Sequence, residues 1–145
     1  MKYFLVLCLL LAMSSCQRNP ESANNELVLD STGKPVSLAD APVIKFEQEV
    51  YDFGVITEGT SVKYEFSFKN TGKSPLIITN ASATCGCTVP EYPTKPIKPG
   101  ESGIVKVVFN SLGKSGLQDK MVTLVSNANP NLSSVHLVGE VKAKK

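Results

Sequence analysis

Cys85 and Cys87 flank a single glycine in the run Thr84-Cys-Gly-Cys-Thr88. In an extended strand, residues two apart project to the same face, and Gly86 allows the backbone to bend until the two sulfurs meet. Three chemistries fit that pattern. The first is structural: small buried hydrophobes, or an inert bridge across a turn. The second is thiol–disulfide redox, because a bridge across so small a loop restricts little unfolded-chain entropy. That role needs a lowered thiolate pKa, and only Lys95, Lys98 and more distant lysines offer positive charge. The third is a soft metal: two thiolates suit Cu(I), whereas a closed zinc site requires four ligands.

Little else in the chain carries chemistry. His136 is the single histidine; it falls on an outward position of an alternating strand, with no second ligand at a motif spacing. Met121 reads as packing rather than as a thioether ligand. Glu47, Glu49, Asp52 and Glu58 scatter over turns and strand edges, and nothing in their spacing marks a catalytic pair. There is no serine motif with a matching histidine and acid, and no glycine-rich phosphate loop. These absences point away from an enzyme. The formal net charge of +2 and the lack of a basic stripe also exclude nucleic acid as an expected partner.

The first residues describe location. Lys2 precedes the apolar run Tyr3–Met13, about half the ~20 residues a membrane-spanning helix needs. The following Met13-Ser-Ser-Cys16 resembles the bacterial lipobox. That resemblance implies cleavage after Ser15 and diacylglycerol on Cys16, with acyl chains such as palmitate holding the mature chain to a membrane. It also implies an exported, disulfide-permissive setting for Cys85 and Cys87. Gln17 is not acidic, and an acidic residue there retains some lipoproteins at the inner membrane; the outer membrane is therefore favoured, with the domain facing the periplasm.

The elements that must position these residues are strands. After a polar tether at Gln17–Asn25, Leu27–Leu38 holds two short apolar runs around a turn, a candidate hairpin. In Ser61–Lys69, Val62, Tyr64, Phe66 and Phe68 alternate with Lys63, Glu65, Ser67 and Lys69, the period of a sheet with one wet face. Leu76–Asn80 is continuous enough to be a central strand. Gly103–Phe109, Lys120–Val125 and Val135–Val141 alternate in the same way. Pro90, Pro93, Pro96 and Pro99 confine the intervening stretch to a sheet edge or a loop, stiff and exposed, either an edge guard or a surface for a partner. The pattern predicts an all-β, immunoglobulin-like antiparallel β-sandwich of about seven strands. Its core is aliphatic and aromatic, since the chain has no tryptophan.

Two blocks of residues extend this reading. Phe46, Tyr51-Asp-Phe-Gly-Val-Ile-Thr-Glu-Gly59, Phe66-Ser-Phe-Lys-Asn-Thr-Gly72 and Pro75–Ile78 form the first. Cys85-Gly-Cys-Thr88, Pro99-Gly-Glu101 and Val105–Phe109 form the second. Together they resemble a bacterial family of domains of unknown function with a Cys-Gly-Cys-Thr signature, similar to immunoglobulin-like domains of the Hydin and major sperm protein type. The likeness runs from about Val43 to Val141. It implies a β-sandwich and, by fold analogy alone, a protein-binding or scaffold role. The expected organisation is a signal peptide at 1–15, a lipidated cysteine and tether at 16–42, and the sandwich at 43–145. The expected role is a non-catalytic binding module of the cell envelope, with the membrane reached through Cys16 and a protein partner. The alternative is a redox or Cu(I) site at Cys85 and Cys87.

Overall fold

Alternation of apolar and polar side chains organises this chain into strands that each have a dry and a wet side. The computed structural model describes residues 27–29 and 33–144. The expected signal segment, Cys16 and the tether at Gln17–Asn25 lie outside the described residues. β1 (Leu27–Leu29) and β2 (Pro35–Ser37) form an antiparallel ribbon, with Leu27 opposite Ser37. A short 3-10 turn, Leu38–Asp40, follows, its first turn capped by the Ser37 hydroxyl, which accepts from the Ala39 N–H.

Eight strands build the sandwich: β3 (Ile44–Phe46), β4 (Val50–Thr57), β5 (Ser61–Asn70), β6 (Ile78–Ala83), β7 (Thr88–Glu91), β8 (Ser102–Asn110), β9 (Gly116–Ser126) and β10 (Leu132–Lys142). One sheet has the order β3-β5-β8-β7, the other β4-β10-β9-β6. Between them lie Phe66, Phe68, Val105, Val107 and Phe109 from the first sheet, facing Val122, Leu124, Val135, Leu137 and Val141 from the second, all at most 2% exposed. Dry side chains from two inner faces supply the main stabilisation of such a fold.

The expected sandwich is therefore present, with three corrections. The sandwich has eight strands rather than about seven, because the stretch before β5 splits in two. After β3 the chain crosses from one sheet to the other: the Glu47 N–H still donates to Ser67 O in the first sheet (3.0 Å), while Glu49 O already accepts from the His136 N–H in the second (2.7 Å). A crossing without reversal makes β4 run parallel to β10, so the fold is not purely antiparallel. The strand signal of β4 is weak because its alternation breaks where Gly54 takes a positive φ of 70° and β10 bulges between Val138 and Glu140.

The third correction concerns the run expected to be a central strand, Leu76–Asn80. Its strand, β6, is an edge strand. Leu76 is fully buried because Ile97, inside the proline stretch, closes over it in an isolated bridge whose two N–H···O contacts are both 2.9 Å. The proline stretch meets its expectation at Pro90, which lies in the edge strand β7. Ile97, only 5% exposed, makes part of it core rather than surface.

Candidate functional site

β6 leaves one sheet and β7 enters the other through the turn that carries the cysteine pair. Cys85 and Cys87 are joined as a disulfide, with their Cα atoms 5.3 Å apart. The turn is tied to both sheets by main-chain bonds. Thr84 N–H donates to Met121 O of β9 (3.1 Å), and Asn110 N–H at the end of β8 donates to Cys87 O (2.9 Å). The turn is closed internally by the Thr88 N–H donating to Cys85 O (3.2 Å). Both cysteines are half-buried, and Cys87 packs against the core cluster while Cys85 lies outside it. Thr88, 4% exposed, places its Oγ1 3.7 Å from Cys85 Sγ and 4.0 Å from Cys87 Sγ.

Gly86 departs from its expected role. Its φ lies outside the left-handed region, and a Cβ built there would meet nothing within 4 Å. Neither a left-handed φ nor packing against residues beyond Cys85 and Cys87 demands glycine at the centre of the turn. The bridge itself spans a sequence separation of 2, and the loop-closure relation assigns so short a loop only about 1.6 kcal/mol, against about 4.7 for a hundred-residue loop. The disulfide is thus a minor contributor to the fold. In this state the sulfurs can undergo exchange with a thiol, but neither is a thiolate able to hold Cu(I) without prior reduction.

The other candidates sit apart from the bridge. His136 projects from the outer face of the β4-β10-β9-β6 sheet, where its Nδ1 lies 2.8 Å from Asp119 Oδ1 and its register partner is Met121. The sequence shows no partner for this histidine because Asp119 is reached only across the strand pair. Asp52 accepts from the Gly54 N–H (2.7 Å), and Glu58 accepts from the main-chain N–H groups of Gly113 (3.0 Å) and Lys144 (3.4 Å). These two carboxylates are thus engaged in holding turns. Among the described residues, no three His, Cys, Asp or Glu side chains gather at one point. On the opposite outer face a shallow cavity of about 400 Å³ is lined by Lys63, Glu65, Glu91 and Lys106. Its Lys106–Glu65 pair (3.4 Å) is more than half exposed on both sides, so it adds little.

One surface was invisible in the sequence. Strand register puts Val50, Val55, Leu117 and Leu132 on the outer face of the β4-β10-β9-β6 sheet, with exposures of 48%, 59%, 87% and 54%. Val55 and Leu117 both pair with Glu140, so they flank one residue at one end of that face. Their signal could have been found only as apolar residues on the wrong phase of alternating strands.

Residues 44–141 match the family model described as "Protein of unknown function (DUF1573)". Among curated proteins, none matches this sequence. Similar solved structures include a protein of unknown function from Porphyromonas gingivalis W83, at 16% identity and TM-score 0.62, over 72% of this chain and 49% of that one. The PapD-like domain 7 of human CEP192 is similar at 10% identity and TM-score 0.59, over 77% and 94%. The secreted serine protease VesC from Vibrio cholerae is similar at 15% identity and TM-score 0.54, over 68% and 23%. At these identities the likeness is one of fold. This chain spans about half the length of the Porphyromonas chain and under a quarter of the protease.

Proposed function

We propose the following role for this chain, which belongs to the DUF1573 family of proteins of unknown function: it is a lipid-anchored β-sandwich of the bacterial cell envelope that binds a protein partner and turns over no substrate. The observation that carries the binding role is the outer face of the β4-β10-β9-β6 sheet. Four large apolar side chains are held in solvent there on a rigid support. A monomer gains nothing in stability from that exposure; Val55 and Leu117, side by side about Glu140, form its centre, with Val50 and Leu132 further along the same face. The acidic groups Asp52, Asp119 and Glu140 around it give the contact orientation and specificity.

The lipid anchor rests on Met13-Ser-Ser-Cys16 and the apolar run before it. It places the sandwich at the membrane surface, at the outer membrane and facing the periplasm, with the polar segment at Gln17–Asn25 as its tether. No cofactor is required by this role beyond the covalent diacylglycerol on Cys16.

Three experiments test the proposal. Photo-crosslinking in cells from a probe at position 119, on the same outer face of β9, captures a discrete envelope protein, and the double variant Val55→Lys/Leu117→Lys carrying the same probe loses that product while keeping its melting temperature. An unchanged crosslink in the folded double variant refutes the surface. Metabolic labelling with a fatty-acid analogue marks the wild-type chain and not Cys16→Ser; an unlabelled wild type removes the anchor from the proposal. Reproducible turnover of a small substrate by the pure protein would remove the non-catalytic reading.

A further inference from the structure

We propose that the Cys85–Cys87 bridge is a reversible thiol–disulfide exchange site, at which an incoming thiolate attacks Cys85 and Cys87 is the sulfur released. Three observations converge on this. First, the bridge links residues separated by only two positions, inside a turn already held by main-chain bonds from Thr84 to Met121 and from Asn110 to Cys87. A bond and a fold stabilise each other by the same amount. A bond that contributes little to the fold is therefore little protected by it, unlike the long-loop disulfides that resist cellular thiols.

Second, glycine at position 86 has no structural cause. Its φ lies outside the left-handed region, and beyond its two chain neighbours a Cβ built there meets nothing within 4 Å. Exposed and flanked by both half-buried cysteines, a glycine adds no bulk next to the sulfurs, and access controls the rate of exchange. Third, the two sulfurs are unlike. Cys87 packs on the core and Cys85 does not. The buried Thr88 hydroxyl lies within reach of both sulfurs, at 3.7 and 4.0 Å. The hydroxyl lies nearer Cys85 than Cys87, so the choice of Cys85 for attack rests on packing alone; the released Cys87 Sγ is still within 4.0 Å of a hydroxyl that can donate to it as a thiolate.

The reaction is a two-electron exchange with an external dithiol. Its first thiolate bonds to Cys85 Sγ while the Sγ–Sγ bond breaks. The electron pair passes to Cys87 Sγ, which accepts a hydrogen bond from Thr88 and then a proton from solvent. The second thiolate of the dithiol attacks its own sulfur in the mixed disulfide and releases Cys85 as a thiolate. The bridge is reduced and the dithiol is oxidised.

The test uses the purified full chain in native buffer, with dithiothreitol as the dithiol and glutathione as the single thiol, quenched by acid and mapped by peptide mass. The expected result is opening of the bridge without loss of the far-ultraviolet circular dichroism of the fold, with the glutathione adduct on Cys85. Gly86→Val slows opening by at least about tenfold at an unchanged melting temperature. Gly86→Ala keeps the measurement readable if valine disturbs the turn, and slows opening by a smaller factor. Thr88→Ser, which keeps the hydroxyl, opens at the wild-type rate, while Thr88→Val is slower. A bridge that opens only in denaturant, an adduct on Cys87, or identical rates for the Gly86 variants and wild type overturns the proposal.

Discussion

The two ends of the sandwich are held by opposite means. At the end opposite the disulfide, the fully buried Asn70 joins segments far apart in sequence: its Nδ2 donates to Ser74 O (2.9 Å) and Ile97 O (3.0 Å), and its Oδ1 accepts from the N–H groups of Val43 (3.3 Å) and Gly72 (3.0 Å). Asn127 repeats the device beside it, accepting from the Ile77 N–H (2.7 Å) and donating to Pro75 O (3.1 Å). At the other end the strongest link in chemical terms, a covalent bond, joins residues two apart. Bond strength and contribution to stability are therefore separate quantities in this fold. A side chain that satisfies four main-chain groups, two of them through buried bonds, cannot be removed without orphaning them. A bond across a short turn removes little freedom from a chain that is already constrained locally.

The sharpest way to break this contrast is at Asn70. Asn70→Ala is expected to lower stability by about 3–5 kcal/mol, because buried carbonyl and N–H groups lose their partners. The measurement is the midpoint of urea unfolding, and a loss below about 1 kcal/mol would reverse the ranking of the two ends. Gly72→Ala comes next. A Cβ there overlaps the main-chain oxygen of Ala41, so a cost of about 2–3 kcal/mol is expected from displaced backbone. Thermal unfolding of that variant at the wild-type midpoint would show the Asn70 end to be more yielding than its bonds suggest.

Asn127→Ala removes two bonds in a half-buried setting, for an expected loss of about 1–2 kcal/mol by the same denaturation assay. The smallest effect belongs to the disulfide end. Cys85→Ser/Cys87→Ser is expected to cost no more than about 1.6 kcal/mol, the value of the loop-closure relation, and to keep the wild-type circular dichroism. Hydrogen exchange locates the change: protection is lost at Thr88 and Asn110, and retained at Asn70. Global unfolding of the double serine variant at room temperature would make the bridge structural after all.

Legibility in the sequence followed the range of the interaction. The alternation in β5 from Val62 to Phe68 names its buried face correctly, because in a strand each side chain's direction depends only on its place in the chain. The turns after Asn70 and Pro99 were readable for the same local reason. Asn70 itself was not: it reads as a turn residue, and its burial arises from Ser74 and Ile97 folding onto it. Ile97 was hidden among prolines that announce a loop. β4 escaped notice because Gly54 breaks its period, and its parallel pairing depends on β10, which lies at the far end of the chain.

The candidate site divides along the same line. Cys85, Gly86 and Cys87 stand together in the sequence, so the possibility of a bridge was determined there by spacing alone. The absence of a serine-triad motif or a phosphate-binding loop was equally legible, since those motifs are local strings. Only the tertiary structure decided that Cys87 faces the core, that Thr88 lies beside both sulfurs, and that Gly86 has open space rather than a strained φ. It also decided that Val55 and Leu117, 62 positions apart by their numbering, flank the same glutamate on one exposed face. The physical reason is that periodicity determines which way a side chain points, whereas what it meets there is supplied by strands distant in the chain.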